Sequence, residues 1–546
     1  MFLFRTGLLI GMALAPLLLG GCGKGGEARR EGMASPGGGT AYPARRLLRC
    51  ASPVDGMPLE ASVAFPPGYD NAHRRPLILV LPGAAFPEET PLGEAMVARL
   101  SDPRPAGECP LGVRLEDWGR ALEYLTDNLP AERQRIFAVG QGRAGVAFVC
   151  RHALELAGAV LSFPPGEERE FTLEEFPVSH LENLPLWVEL PASGASPGGR
   201  ALKAFLASRP EARFNAPARL LGGAEGMAPL LEAFSWLSAQ PPQDHHRLVW
   251  EWRMGEPFPP GWLMAERRGP EPQALLEARR SREEGRTRLE VKTRGIRRLA
   301  LQSDAPEFRR GEPILVHLDE AKLGVSPQQG WVKLEQGKPG EWTTAGVQPT
   351  MPQTPENEWT TLQSFLARPV LLVVGTAFPE RTALWEEAAQ DFSQEWKRRT
   401  GMPIPVRRDD SLTAADMRER RLILLGGGEE NLGADALLAS DRSFLRRLFQ
   451  TLPPQEQTHE KTFALTLCPA ELLAPGTMAA LVVVNDPQEM KYALRQFLSP
   501  QAEKNQFLLA SPAQIRLGRF SPEGKILPTD PEEARGDGPG TTPSAP

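Results

Sequence analysis

Two hydrophobic rhythms divide the chain. "RPLILVLPG" (Arg75 to Gly83) is an unbroken apolar run that suits a strand buried on both faces of a parallel sheet. "LEDWGRALEYLTDNL" (Leu115 to Leu129) instead spaces its apolar residues at helical period. Arg135 to Val139 predicts a second strand, followed by a glycine-rich bend and a helix beginning near Ala144. "LAGAVLSFP" and "LPLWVELPA" predict further strands, and "PLLEAFSWLSAQ" a closing helix. Ahead of them, two β-like runs flank Asp55-Gly56, a hairpin signal. "EAMVARLSD", between Ala84 and Leu115, reads as the remnant of a helix or a strand. Strands alternating with helices predict a doubly wound α/β domain.

From about His245 the period shortens. "RLVWEWRM", "GWLMAERR", "TRLEVKT", "IRRLALQS" and "PILVHLD" predict a small β-sandwich-like domain, and the charged "EARRSREEGRTR" (Glu277 to Arg288) a solvated loop. A second α/β unit follows a Pro- and Gln-rich stretch. "PVLLVVG", "RLILLGGG" and "TMAALVVVND" are its strands, "RTALWEEAAQDFSQEWKRR" and "PQEMKYALRQFL" its helices. Residues 46–241, 242–347 and 348–521 are thus three expected domains, and the Pro-, Gly- and acid-rich 522–546 a disordered tail.

The first 45 residues add a location. Arg5 precedes the short apolar run "GLLIGMALAPLLLG", which reads as a secretory signal over 1–21. Leu19-Gly20-Gly21-Cys22 resembles a bacterial lipobox, which implies cleavage before Cys22 and lipidation of its thiol. Residues 22–45, rich in Gly, Ser and Arg, would tether the protein to the extracytoplasmic side of a bacterial membrane. Cys50, Cys109, Cys150 and Cys468 remain; an even number permits disulfides, but their spacing assigns no pairing and resembles no zinc motif.

Composition constrains little further. The 546 residues allow about three or four domains. The formal net charge of −6 gives no reason to expect a nucleic-acid partner, and no cofactor or metal is expected.

Candidate chemistry concentrates at the bend "AVGQGRAG". Its frame matches the strand–turn–helix that reads G-x-S-x-G in serine hydrolases, with Gly142 at the serine's place. Together with "FPPGYDNAHRRPLILVLPGAAF" and "LPLWVEL", the bend makes residues 46–241 resemble the α/β-hydrolase fold, in the style of secreted prolyl-oligopeptidase-like esterases. The resemblance implies Ser, then Asp or Glu, then His in chain order, because the hydroxyl needs an imidazole to take its proton and the acid orients that imidazole. Each position departs from that pattern. Gly142 has no side chain; "PASGASPGG" follows Leu190 where the acid is expected, with Glu189 the nearest carboxylate. Glu225 stands near the histidine's place, and no histidine lies between His180 and His245. Pro82-Gly83-Ala84 replaces the His-Gly often found at the oxyanion segment.

The expected catalytic set is therefore empty, and Gly142 is expected to serve the turn by adopting positive φ at little steric cost. Three functions follow as expectations. The first is a membrane-anchored extracytoplasmic pseudo-hydrolase with a binding or scaffolding role, its ligand a peptide, glycan or protein. The second is a serine hydrolase with a relocated nucleophile such as Ser162 or Ser193, and the third a purely structural envelope lipoprotein. Arg143 is expected to be solvated or salt-bridged, and Trp250, Trp252, Trp262, Trp331 and Trp342 to fill the β-rich core. Gly426-Gly427-Gly428 is expected to form an ordinary β-to-α turn, the chain being read as carrying neither a P-loop nor a G-x-G-x-x-G fingerprint.

Overall fold

The computed structural model describes residues 45–70, 72–84, 86, 93–105, 109–163, 176–191, 219–221, 228–239, 247–252, 261–268, 274–283, 285–305, 308, 311–326, 330–338, 340–351, 360–439, 444–469, 478–503, 505–520 and 526–528. The signal and Cys22 expectations, and the tether up to residue 44, lie outside these residues; Arg45, placed at the tether's end, already belongs to a strand.

The first sheet holds β1 (Arg45–Ala51), β2 (Pro58–Ala64), β3 (Arg75–Val80), β4 (Met96–Leu100), β5 (Ala131–Gln141), β6 (Gly158–Ser162), β7 (Leu186–Pro191) and β8 (Arg219–Leu221). Their order is β1-β2-β4-β3-β5-β6-β7-β8. β2 runs against both its neighbours, and every pairing from β4 to β8 is parallel. That order, with β2 inverted and the glycine bend after β5, makes this region an α/β sheet flanked by helices. Its helices are α1 (Leu111–Asn128), α2 (Gly142–Arg151) and α3 (Ala228–Ser238). Phe234 and Leu237 of α3 cluster with Ile78, Val80, Phe137, Val139 and Val160. Trp118 of α1 meets Phe148 of α2 edge to face.

Two sheets make up the middle region. One is β15-β14-β12-β11-β9 and the other β10-β13-β16-β17. Their strands are β9 (Arg247–Trp252), β10 (Leu263–Arg268), β11 (Ala274–Glu283), β12 (Arg286–Arg294), β13 (Ile296–Gln302), β14 (Ile314–Leu318), β15 (Ala321–Val325), β16 (Trp331–Gln336) and β17 (Trp342–Gln348). Both sheets feed one core, in which all five tryptophans of this region are buried.

The last sheet contains β18 (Val370–Val374), β19 (Val406–Arg408), β20 (Arg421–Leu425), β21 (Phe463–Pro469), β22 (Met478–Val484), β23 (Phe507–Ala510), β24 (Ile515–Phe520) and β25 (Ile526–Pro528). The order is β19-β18-β20-β22-β21-β23-β24-β25, parallel up to β22 and antiparallel beyond. Its helices are α4 (Leu362–Leu366), α5 (Pro379–Thr400), α6 (Ala414–Glu419), α7 (Leu432–Leu438), α8 (Phe444–Phe449), α9 (Pro454–Gln457) and α10 (Met490–Arg495). α5 packs on the face carrying Leu372 and Val374, and α7 on the face carrying Leu371 and Val373.

The first and last sheets are not independent. Val54, Cys109 and Val113 share a core with Phe365, Trp385 and Phe392. Above that core lies Arg104, whose side chain is fully buried. It donates to Asp117 (2.7 Å), to Asp55 (2.7 Å) and to the Thr400 carbonyl (2.7 Å). A buried guanidinium needs such partners to offset desolvation. Burial is the main influence on the Asp117 carboxyl and raises its pKa, while the Arg104 contact opposes that shift.

Four readings need correction. "EARRSREEGRTR" is no loop: it forms the tip of the β11–β12 hairpin, paired from Leu275↔Arg294 to Glu283↔Arg286. Its charges hid the alternation of Leu276, Ala278 and Leu289, which point into the core. "EAMVARLSD" contributes a full strand, β4, because its apolar stretch fits between β2 and β3. α2 begins at Gly142, not near Ala144. β25 lies within the stretch expected to be disordered, pairing with β24.

Candidate functional site

The bend forms as the sequence requires. β5 ends at Gln141 in extended geometry (φ −128°, ψ 139°), and Gly142 then takes φ +58° as α2 starts. That left-handed value favours glycine, since a Cβ there costs strain. Gly140 and Gly145 serve a second purpose. A Cβ on Gly145 would lie 2.7 Å from the Gly140 carbonyl carbon, so helix and strand touch through bare backbone. This contact was not foreseen, although the spacing shows it. Residues 140–145 spell G-x-G-x-x-G, which corrects the reading that the chain carries no such fingerprint. In that fingerprint the last glycine allows close helix–strand packing.

Beside the bend, Leu81 donates its N–H to the Val139 carbonyl (2.9 Å). Leu81-Pro82-Gly83-Ala84 closes a turn in which Ala84 N–H donates to the Leu81 carbonyl (3.2 Å) and Gly83 takes φ +85°. Proline followed by a positive-φ glycine is the signature of a type II turn. The Ala84 amide is thereby engaged inside the turn, not presented as an oxyanion donor. Arg143 is exposed in the first turn of α2.

The triad positions fall as follows. Gly142 sits at the nucleophile's place, after β5. β7 and β8 occupy their places in the sheet, but the loops after them, with Ser193 and Glu225, lie outside the described residues, as does the side chain of Glu189. Ser162 closes β6, half-buried, its backbone paired beside Gln141. Every described histidine of the first region is remote from the bend. His152 caps the far end of α2, ten residues and ~15 Å from Gly142. His180 is held there too, its Nδ1 3.0 Å from the Cys150 carbonyl and its ring stacked on Trp250. His73 precedes β3, at the opposite end of the strands, beside Asp70. His245 and His246 lie outside the described residues.

Among the described residues, Cys50, Cys109, Cys150 and Cys468 form no disulfide. Burial pushes the Cys109 and Cys468 thiols up to about 12, which leaves them protonated and inert at neutral pH. Among the described residues no three His, Cys, Asp or Glu side chains converge as metal ligands.

The Gly426 turn is built differently. Gly426 takes φ +101°, and Gly427 N–H donates to the Glu430 carboxylate (2.9 Å), which Arg381 also engages. Asn431 caps α7 through Gly433 and Ala434 N–H and donates to the Val373 and Leu425 carbonyls. A Cβ on Gly375 would collide with the Glu430 carbonyl oxygen. The crevice between β18 and β20 is thus filled by the chain's own groups.

No family model matches the chain, and no curated protein does. Among solved structures it is similar to a thermostable esterase at 13% identity and TM-score 0.30, covering 36% of this chain and 63% of that one. It is also similar to Thermogutta terrifontis esterase 2 at 13% identity and TM-score 0.27, covering 36% of this chain and 94% of that one. A third likeness, at 14% identity and TM-score 0.27, is to a candidate dipeptidyl aminopeptidase IV from Bacteroides ovatus, covering 36% of this chain and 35% of that one. At such identities and TM-scores no activity transfers to this chain.

Proposed function

We propose that this protein is a lipid-anchored, extracytoplasmic pseudo-hydrolase. In this reading its first region keeps the α/β-hydrolase frame as a binding platform for a peptide, glycan or protein. One observation carries the proposal: Gly142, with φ +58°, stands at the apex of the bend after β5, where serine chemistry needs a hydroxyl. A hydrogen atom attacks no carbonyl, and the described histidines of the first region lie at the other end of α2 or of the strands. The oxyanion segment supports the same reading, since its Ala84 amide is spent inside a turn.

Purified protein treated with a fluorophosphonate probe and short-chain nitrophenyl esters provides the test. No covalent adduct and no turnover are expected. An adduct removed by one serine substitution would overturn the reading. The anchor is tested apart from this: a palmitate analogue should label the protein, and a Cys22→Ala variant should remain unlabelled.

A second reading, a serine hydrolase with a relocated nucleophile, is favoured by one feature. Ser162 sits at the carboxyl end of β6, beside the bend. Under that reading Ser162→Ala abolishes both labelling and turnover.

A further inference from the structure

We infer that the open end of the groove between α5 and α10 binds an oxyanion, the phosphate or carboxylate head of a small molecule. The inference concerns the helices of the last sheet and stands apart from both the anchor and the hydrolase frame.

α5 and α10 advance side by side in one direction. Lys491, early in α10, reaches Glu387 (2.7 Å) and Asp391 (2.8 Å) on α5. Further along, Phe497 in the short 3-10 helix Gln496–Leu498 meets Phe392 of α5, their ring centroids 6.1 Å apart. Both rings are buried in the core under the groove. At the level of Lys491, opposite charges therefore bridge the two helices.

One turn on, the charge pattern reverses. Arg495 lies four residues after Lys491 (495 − 491), and Arg399 four after Glu395 (399 − 395). Each is thus one helical turn further along its own helix. Both arginines line a hollow of about 430 Å³, together with Glu395, Leu498 and Ser499. A volume of that size falls in the range of small-molecule sites. Two like charges form no bridge across the groove, and an anion between them would relieve their repulsion.

The other groups leave that role open. Glu395 is engaged along its own helix, accepting from Arg398 Nη2 (2.7 Å) and from Arg399 Nε (2.7 Å). Arg495 is exposed at the end of α10, and among the described residues no carboxylate pairs with it. The Ser499 hydroxyl donates to the Gln496 carbonyl (2.7 Å), so it is no donor to an anion. Leu498 packs partly buried against the core and gives the hollow an apolar floor. Guanidinium forks match the oxygens of phosphate and carboxylate, and the leucine suits a short apolar body attached to such a head.

Calorimetric titration of the full chain with phenyl phosphate, benzoate and inorganic phosphate tests the inference. Saturable binding of at least one probe is expected, weakening as salt rises. Whichever of phenyl phosphate and benzoate binds more tightly identifies the head. Arg495→Ala and Arg399→Ala should each weaken that binding ~tenfold, the loss of a charge-assisted hydrogen bond. Arg495→Lys should weaken it less, because an ammonium keeps the charge without the fork. Arg420→Ala removes the same charge from an exposed position elsewhere and should bind like the parent. The inference is overturned if none of the three probes binds, if Arg495→Ala binds like the parent, or if Arg420→Ala loses as much as Arg495→Ala.

Discussion

The two α/β regions solve one local problem in opposite ways. In each, a central parallel strand ends in a positive-φ glycine before a helix: Gly142 at φ +58° and Gly426 at φ +101°. Beside the first, among the described residues nothing lies within 4 Å of where a Gly83 Cβ would stand in the Pro82-Gly83 turn. At the second, Glu430 occupies the turn's own N–H group, Asn431 bridges two strand ends, and Gly375 is bare so that the Glu430 carbonyl can approach. Carboxyl ends of parallel strands at a switch point are natural ligand sites. The last sheet closes its own with protein, whereas the first carries a bare glycine at the apex of its bend.

The strongest perturbation lies between the two regions. Arg104→Met should cost about 3–5 kcal/mol in urea denaturation, because Asp55 and Asp117 then keep buried charge without a cation. A loss below about 1 kcal/mol would mean that the shared core, not the ion pairs, joins the sheets. Next comes the filled crevice. Gly375→Ala should cost about 3 kcal/mol, since the new methyl meets backbone that cannot swing away. Asn431→Ala should cost about 2 kcal/mol through its lost cap and strand bonds. At the open bend, Gly142→Ser should cost only ~1–2 kcal/mol for a side chain at positive φ. It should restore no ester turnover; measurable hydrolysis by this variant would show that a base reaches the bend.

The smallest effect is electrostatic. Arg398 and then Arg399 hold the Glu395 carboxyl down, to about 2. A carboxylate with a depressed pKa stabilises the fold above its ordinary value of 4.5 and loses that contribution as pH falls towards 2. Glu395 is half-buried but its partner Arg398 is exposed, so solvent screens the pair and Glu395→Gln should cost at most about 1 kcal/mol at pH 7. The difference from the parent should vanish near pH 2, as followed by urea titrations across that range.

Much of this was legible before folding. Apolar runs located β3, β5, β6, β18, β20 and β22, because strands buried on both faces need unbroken hydrophobic stretches. Glycine at 142 settled the absence of a hydroxyl there, since residue identity is a covalent fact, and the tightness of the bend explained why glycine suits it. Other features depended on partners distant in sequence. The arginine-rich 277–288 stretch became a hairpin because its base, at Leu276, Ala278 and Leu289, is held in the middle core. Arg104 found Asp55, Asp117 and Thr400 only when two sheets met. Only folding placed His152 and His180 at the far end of α2 and Glu430 inside its turn. Rhythm and residue chemistry are local, so the chain states them directly; which groups meet depends on packing, and only the tertiary structure decides that.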